Sequence, residues 1–359
     1  MTKIDNAVFR FEPSVMFTAD DTYPMAREPV LRRMPDGSLL SLIYCGGPRE
    51  PHWKNIVAAV RSEDGGKSWS KPEELFRHPR RACWGTELFT EGETPFLVFQ
   101  TFDVPGFYLE LRSFVSFTED SGRSWSEPRS FHGVPSNFSV RQGRVLSDGS
   151  WLFPVYWEEL RRSWDGSFGD DGLEWPFVSG VIRSTDRGQT WKLHVPQTNA
   201  ENQHLWEPEV IELAPGHLKM FIRRESPEHV LWESESFDFG ATWSAPLPGK
   251  ISNPGTKTVI YKVRSRWVMF NNLCPEGRCE RSELSMLVSD DGENWRNRGW
   301  IAKLETVPEE NPFSTPRTML PQVAYPHGFS DDREECVLLA IDSIRKFFFV
   351  RIPYSEILD

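Results

Sequence analysis

One short pattern occurs five times along the chain: a small or hydroxyl residue, Asp two positions on, Gly two after that, then Ser, Thr or Asn followed by Trp. The copies are Ser62-Glu-Asp64-Gly-Gly66-Lys-Ser68-Trp69, Thr118-Glu-Asp120-Ser-Gly122-Arg-Ser124-Trp125, Ser184-Thr-Asp186-Arg-Gly188-Gln-Thr190-Trp191, Ser236-Phe-Asp238-Phe-Gly240-Ala-Thr242-Trp243 and Val288-Ser-Asp290-Asp-Gly292-Glu-Asn294-Trp295. Successive tryptophans lie 56, 66, 52 and 52 residues apart. A period of that size marks units that must stack to bury their faces. Asp and Ser bond backbone amides nearby, Gly supplies the positive φ of a tight turn, and Trp offers an apolar wedge between units. A turn repeated five times cannot converge on one site, so the pattern belongs to the scaffold.

Each copy sits between short runs rich in β-branched and aromatic residues, such as Ser38 to Tyr44, Asn55 to Arg61, Phe96 to Phe102, Lys257 to Val263 and Phe347 to Ile352. These read as strands, and no segment reads as a long amphipathic helix. A turn joining the third and fourth strands of a propeller blade fits that placement. With 68 residues before Trp69 and 64 after Trp295, the chain holds five boxed blades and one without a box. The reading is an all-β, six-bladed β-propeller spanning residues 1–359 as one domain, with a seven-bladed ring or open sandwich as the alternative.

The net charge of −11, with Lys and Arg scattered among acids, argues against nucleic acid or an anionic membrane as partner. No stretch approaches a membrane span, and the start lacks an apolar leader, so a cytoplasmic location is expected. Five cysteines, with only Cys274 and Cys279 closely spaced, fit free thiols better than a disulfide framework or a zinc site. Neither metal nor cofactor is expected.

The boxes resemble the Asp-box repeats of the sialidase (neuraminidase) superfamily, and further segments extend the resemblance. Arg27-Glu-Pro29, followed by Met34-Pro-Asp-Gly37, is similar to the Arg-Ile-Pro opening and its hairpin. Glu207-Pro208 and the strand ending at Arg223 are similar to the Glu-Pro strand and second arginine. Arg281, ahead of the fifth box, and Tyr325, before the final strands, fall where the third arginine and nucleophilic Tyr lie. The resemblance implies an exo-acting glycoside hydrolase acting on an acidic sugar, with Arg27, Arg223 and Arg281 as carboxylate clamp, Tyr325 as nucleophile and Glu207 as its base. Guanidiniums grip a carboxylate through charge-assisted bonds, and a Tyr with an ordinary pKa near 10 needs a neighbouring base. Glu209 alternates with Glu207 on the strand and is expected to be exposed, paired with a neighbouring base. Arg224 competes with Arg223, and Arg278 and Arg317 compete with Arg281.

One segment departs from the family. The loop before the first box, Gly46-Gly-Pro-Arg49-Glu50-Pro-His52-Trp53-Lys-Asn55, contains no Asp where sialidases place their acid/base. Glu50 or His52 is the expected proton donor, Arg49 and Trp53 are candidate substrate contacts, and Trp53 suits stacking on a sugar face. His204, in the polar stretch Asn202-Gln203-His204 before Glu207, is a further candidate contact, and Arg141 or Arg144 a further clamp residue. Two other readings stay open. A uronate lyase would divide acid and base work between Tyr325 and His52, His204 or His327, and a propeller without its acid would bind glycans and not cleave them.

Overall fold

The computed structural model describes residues 1–104, 110–158, 177–198, 204–224, 227–274, 280–306, 322–343 and 345–359. Six antiparallel sheets follow one another in chain order. Blade one runs Ala26–Arg33, Leu39–Cys45, Ile56–Ser62 and Glu73–Phe76; blade two runs Ala82–Phe89, Phe96–Phe102 and Arg112–Phe117. Blade three opens with the broken pair Ser139–Val140 and Arg144–Val145, both on Trp151–Glu158, and continues through Phe177–Ser184 and Lys192–His194. Blade four is Leu205–Ala214, His217–Arg224, Val230–Ser236 and Leu247–Ser252. Blade five is Val259–Val263, Arg266–Asn272, Glu283–Ser289 and Arg296–Leu304, extended outward by Ala7–Phe9 and Thr2–Ile4. Blade six is Ala324–Asp331, Cys336–Asp342 and Lys346–Pro353, completed by Pro13–Thr18 from the other end of the chain. That last pairing clasps the six-bladed ring shut, which leaves no open edge between first and last blades.

The apolar residues explain why the centre is polar. Six apolar clusters each lie between two adjacent blades: Leu31, Ile43 and Leu338 join blades one and six, for example, and Ile211, Phe221 and Met269 join four and five. Each such side chain contributes roughly 1.5–3 kcal/mol on burial. With the core spread over six interfaces, the first strand of each blade is free to turn polar side chains toward the axis.

The boxes perform as scaffold. In the first, Asp64 accepts from the Ser68 backbone N–H at 2.9 Å and from its hydroxyl at 2.6 Å, and Ser62 accepts from the Gly66 N–H at 2.7 Å. These bonds hold the Asp64 carboxylate below its ordinary pKa. Trp69 meets Phe349 of blade six edge-on at 5.6 Å, and Trp295 meets Phe221 of blade four at 5.9 Å. The fifth box requires a correction. Asp291, not Asp290, accepts from the Ser289 hydroxyl at 2.9 Å and from the Glu293 and Asn294 N–H groups at 2.8 Å. Asp290 turns outward to Arg266 and Arg296. This turn is one residue shorter than the others, so its Asp lies next to its Gly.

Candidate active site

Three side chains reach the axis by one backbone device. Glu28, Glu207 and Tyr325 have φ of 47°, 50° and 48°, and each precedes a proline, Pro29, Pro208 and Pro326. Pairing of the first strand with the second slips at each place, between Arg27 and Val30, between Trp206 and Glu209, and between Ala324 and His327. A left-handed residue that is not glycine costs about 1–3 kcal/mol, and a following proline restricts it further. The bulge bends the strand and turns the residue before proline toward the axis.

The cations gather around Tyr325. Arg223 donates from Nη1 to the Tyr325 hydroxyl at 3.2 Å, and the guanidinium carbons of Arg281 and Arg27 lie 5.1 and 5.4 Å from the ring centroid. Burial raises the Tyr325 pKa, while Arg223 and Arg281 pull it down. Burial opposes the charge of Arg27, but Asp342 and Glu50, with oxygens 3.6 and 3.7 Å from Nε, more than compensate and raise its pKa. Asp342 also accepts from the Glu28 N–H at 3.2 Å, tying blade six to blade one.

Beneath the clamp runs a chain of buried charges. Arg141 spans two carboxylates, 3.0 Å from Glu28 on one side and in contact with Glu207 on the other, and reaches the Tyr156 hydroxyl at 3.3 Å. The second oxygen of Glu207 takes Arg223 at 2.6 Å. Burial alone would raise the Glu207 pKa, but Arg223 and Arg141 hold it down to about 2. No direct bond joins Glu207 to Tyr325; Arg223 stands between them. Trp206 supplies a wall, with the Arg223 guanidinium 3.9 Å from its ring centroid and Phe177 stacked on it at 4.5 Å.

The loop before the first box is organised by Asn55, which is fully buried. Its side-chain oxygen accepts from the His52 N–H at 2.6 Å and from the Tyr44 hydroxyl at 2.7 Å; its amide donates to the Gly46 and Arg49 carbonyls. This brace sets Glu50 beside Arg27. Burial raises the Glu50 pKa to about 7 against the opposing pull of Arg27, a value suited to proton transfer near neutrality. Asn55→Ala is expected to lower stability in urea unfolding by about 1–3 kcal/mol, the cost of stranding buried polar partners. An unchanged midpoint and slope would show that the loop holds itself.

The residues 77–333 match the family described as BNR repeat-like domain. The chain belongs to this family. Among solved structures, Hadza microbial sialidase Hz136 superposes with a TM-score of 0.69 at 15% identity, covering 94% of this chain and 67% of that one. A protein of unknown function from Dyadobacter fermentans has a TM-score of 0.69 at 13% identity, over 98% of this chain and 100% of that one. A Trypanosoma rangeli sialidase mutant displaying trans-sialidase activity gives 0.66 at 15%, over 98% of this chain and 59% of that one. At such identities the likeness is one of fold: this is a sialidase-like BNR propeller. No curated protein matches it in sequence.

In this BNR propeller Arg27, Glu50, Glu207, Arg223, Arg281 and Tyr325 come together. Arg224 turns away and lies 4.1 Å from the Trp232 ring. Arg278, Arg317, Asn202, Gln203 and Cys279 fall outside the described residues. His52 does not contact the clamp; it stacks on Trp53, which is 47% exposed, and burial with Lys54 and Arg49 lowers its pKa. The Arg49 side chain is exposed, and its carbonyl serves the Asn55 brace. His204, half-buried with φ of 60°, heads the Glu207 strand. Glu209 is 2% exposed, not solvated as expected, because its bulged strand turns it into a lower layer where it contacts Arg144. His327 belongs to that layer too, accepting from the Leu31 N–H at 3.1 Å beside Arg32. Glu28 and Asp342 were not foreseen as site residues, whereas Trp206 belongs to the polar and aromatic stretch 200–207 expected to line the propeller mouth. The one signal for Glu28 was the recurrence of Glu-Pro, Glu-Pro and Tyr-Pro at the heads of three innermost strands.

Proposed function

We propose that this protein is an exo-acting glycoside hydrolase that removes a terminal acidic sugar. The observation that carries the reading is the grouping of three guanidiniums about one buried tyrosine, with Arg223 3.2 Å from its hydroxyl and Arg27 and Arg281 over its ring. Such an array suits a carboxylate held next to an attacking oxygen. Glu207 is a poor base while two arginines occupy it. A substrate carboxylate competes for Arg223 and releases one oxygen of Glu207 to take the Tyr325 proton. The phenolic oxygen then bonds the anomeric carbon, and the leaving oxygen departs with a proton from Glu50. Ionised Glu50 next takes a proton from water, which attacks the anomeric carbon as the bond to Tyr325 breaks, and Glu207 returns its proton to the departing phenolate, completing hydrolysis. A proton donor at Glu50 favours an enzyme over a glycan-binding propeller that has lost its acid.

The test is incubation with sialosides and uronate-containing oligosaccharides, reading product masses. Products summing to substrate plus water support the hydrolase, an unsaturated ultraviolet-absorbing product signals elimination, and unaltered substrate with measurable binding signals a lectin-like role. Glu50→Gln is expected to lower kcat/KM by about 10²–10⁴-fold on a substrate with a poor leaving group. It should also abolish the alkaline fall in rate through pH 7, where wild-type Glu50 loses its proton. An aryl glycoside with a good leaving group should lose far less. An alkaline limb that survives in the variant would remove Glu50 from the role.

A further inference from the structure

The proposed reaction sends the leaving group out past Glu50, and the loop that carries Glu50 continues into an open aromatic surface. Trp53 is 47% exposed, with His52 stacked on its ring at 5.6 Å and the Lys54 ammonium 5.3 Å from its centroid. A tryptophan open to water beside a cation presents an apolar face and a positive charge to one ligand. Asn55 ties this loop to blade two, since its carbonyl accepts from the Cys83 N–H at 3.1 Å. Cys83 lies opposite Thr101 on the next strand, and Thr101 lies opposite Arg112 on the third. Arg81 donates from Nε to the Thr101 hydroxyl at 3.0 Å, and the His78 ring accepts from the Arg80 and Arg81 N–H groups at 3.1 and 3.0 Å. One continuous rim thus runs from the Glu50 loop across the head of blade two.

The chain carries a net charge of −11, yet this rim is basic. Its cations are Arg49, Lys54, Arg77, Arg80, Arg81 and Arg112, and its acids are Glu50, Asp103 and Glu110. Arg77 pairs with Glu74, Arg81 lies 3.6 Å from Glu110, and Glu50 is held beside Arg27. Arg49, Lys54, Arg80 and Arg112 are exposed and make no ion pair with any described residue. Both histidines of the rim sit in the same field: burial lowers the pKa of each, joined by Lys54 and Arg49 at His52 and by Arg81, Arg80 and Arg112 at His78. These cations are scattered in the sequence and gathered only by the fold. A positive cluster on an otherwise acidic protein attracts an anionic ligand to that place.

We propose that this rim binds the leaving group, and that the leaving group is itself built of carboxylate-bearing sugars, so that the substrate is an acidic oligosaccharide trimmed from its end. The terminal unit occupies the clamp of Arg27, Arg223 and Arg281. The next unit lies over Trp53 with its carboxylate toward Lys54, and further units follow the rim to Arg80 and Arg112. A linked row of anions engages several weak contacts at once, and salt screens the attraction because every contributing cation faces water. The inference rests on the acidic-sugar reading and adds what lies beyond the bond that breaks.

The test is calorimetry on the full chain carrying Glu50→Gln, which suppresses turnover. The probes are sialic acid and its linear trimer, and galacturonate and its linear trimer. Sialyllactose and a galacturonate trimer esterified beyond its terminal unit serve as neutral extensions. Whichever monomer binds, its acidic trimer is expected to bind about tenfold tighter or more at about 20 mM salt, and the advantage should fall below about threefold at about 0.5 M. It should fall as far when Lys54→Gln, Arg80→Gln and Arg112→Gln are combined, with monomer affinity unchanged. A urea midpoint equal to that of the parent shows that the combined variant is folded; if it differs, the three single variants replace it and each should lose part of the advantage. An advantage that persists in the variants, or that a neutral extension matches, overturns the proposal. If neither monomer binds, the acidic-sugar reading fails. A trimer that then binds the parent and not the variant still retains the rim as a site for an acidic chain, and trimers that bind neither overturn it as well.

Discussion

Tyr325→Phe is expected to lower turnover of an acidic-sugar glycoside on the order of 10⁴-fold or more, the scale of losing a nucleophile, with little change in stability. The two effects separate because among the described residues the hydroxyl makes one hydrogen bond, from Arg223 at 3.2 Å, whereas the ring keeps its contacts with Arg27 and Arg281 after substitution. Loss of that bond amounts to about 0.5–1.5 kcal/mol. Binding of the free sugar should survive within a few-fold, since the clamp is intact. Turnover would be measured under saturating substrate beside a urea melt of the same preparation. A variant that folds normally and retains more than a tenth of wild-type turnover would show that another group attacks the anomeric carbon, or that water does.

Arg141→Ala carries the largest expected cost in stability, about 3–5 kcal/mol, because it strands the buried Glu28 and leaves the buried Glu207 with Arg223 alone. Glu28 and Glu207 are 5% and 3% exposed, and neither can reach water to recover what Arg141 supplies. The loss should depend on pH with a definite sign. In the wild type Glu207 is held at about 2, below an unfolded value near 4.3, so its contribution is present above about pH 4 and is lost as pH falls toward 2. In the variant both carboxyls move upward, so the folded state binds more protons than the unfolded chain and loses stability as pH rises. The gap between the two proteins should therefore be wide at pH 7 and narrow below pH 4. Arg141→Lys should recover only part of it, since one ammonium lacks the planar fork that spans both partners. A gap under 1 kcal/mol at pH 7 would mean that the pair is bridged by other groups.

Much of this molecule was legible from residue order. The boxes announced blade number and phase because a tight turn needs the same chemistry wherever it occurs, and Phe96–Phe102 begins and ends where its β-branched and aromatic run does. Six members of the candidate site were visible: Arg27, Glu207, Arg223 and Tyr325 in short Arg-x-Pro, Glu-Pro, strand-end Arg and Tyr-Pro segments, Arg281 ahead of the fifth box and Glu50 in the loop before the first. The fifth box shows the limit at short range. Asp290 and Asp291 are adjacent and chemically identical, and only the length of the turn decides which faces the Ser289 hydroxyl.

What residue order determined, then, was the repeat, the strand pattern and a set of candidate side chains, all of which depend on neighbours within one blade. The tertiary structure decided how those candidates meet. Glu209 alternates with Glu207 in sequence, yet a slipped register sends both inward to different layers, one to Arg223 and Arg141, the other to Arg144. Asp342 carries no local mark of function, and Arg141 was marked only as one of two candidate clamp arginines. Their roles arise from contacts between blades, where charges from distant parts of the chain share one low-dielectric space. The same closure placed Glu50 against Arg27, giving the loop that lacks an Asp a carboxyl poised near neutrality.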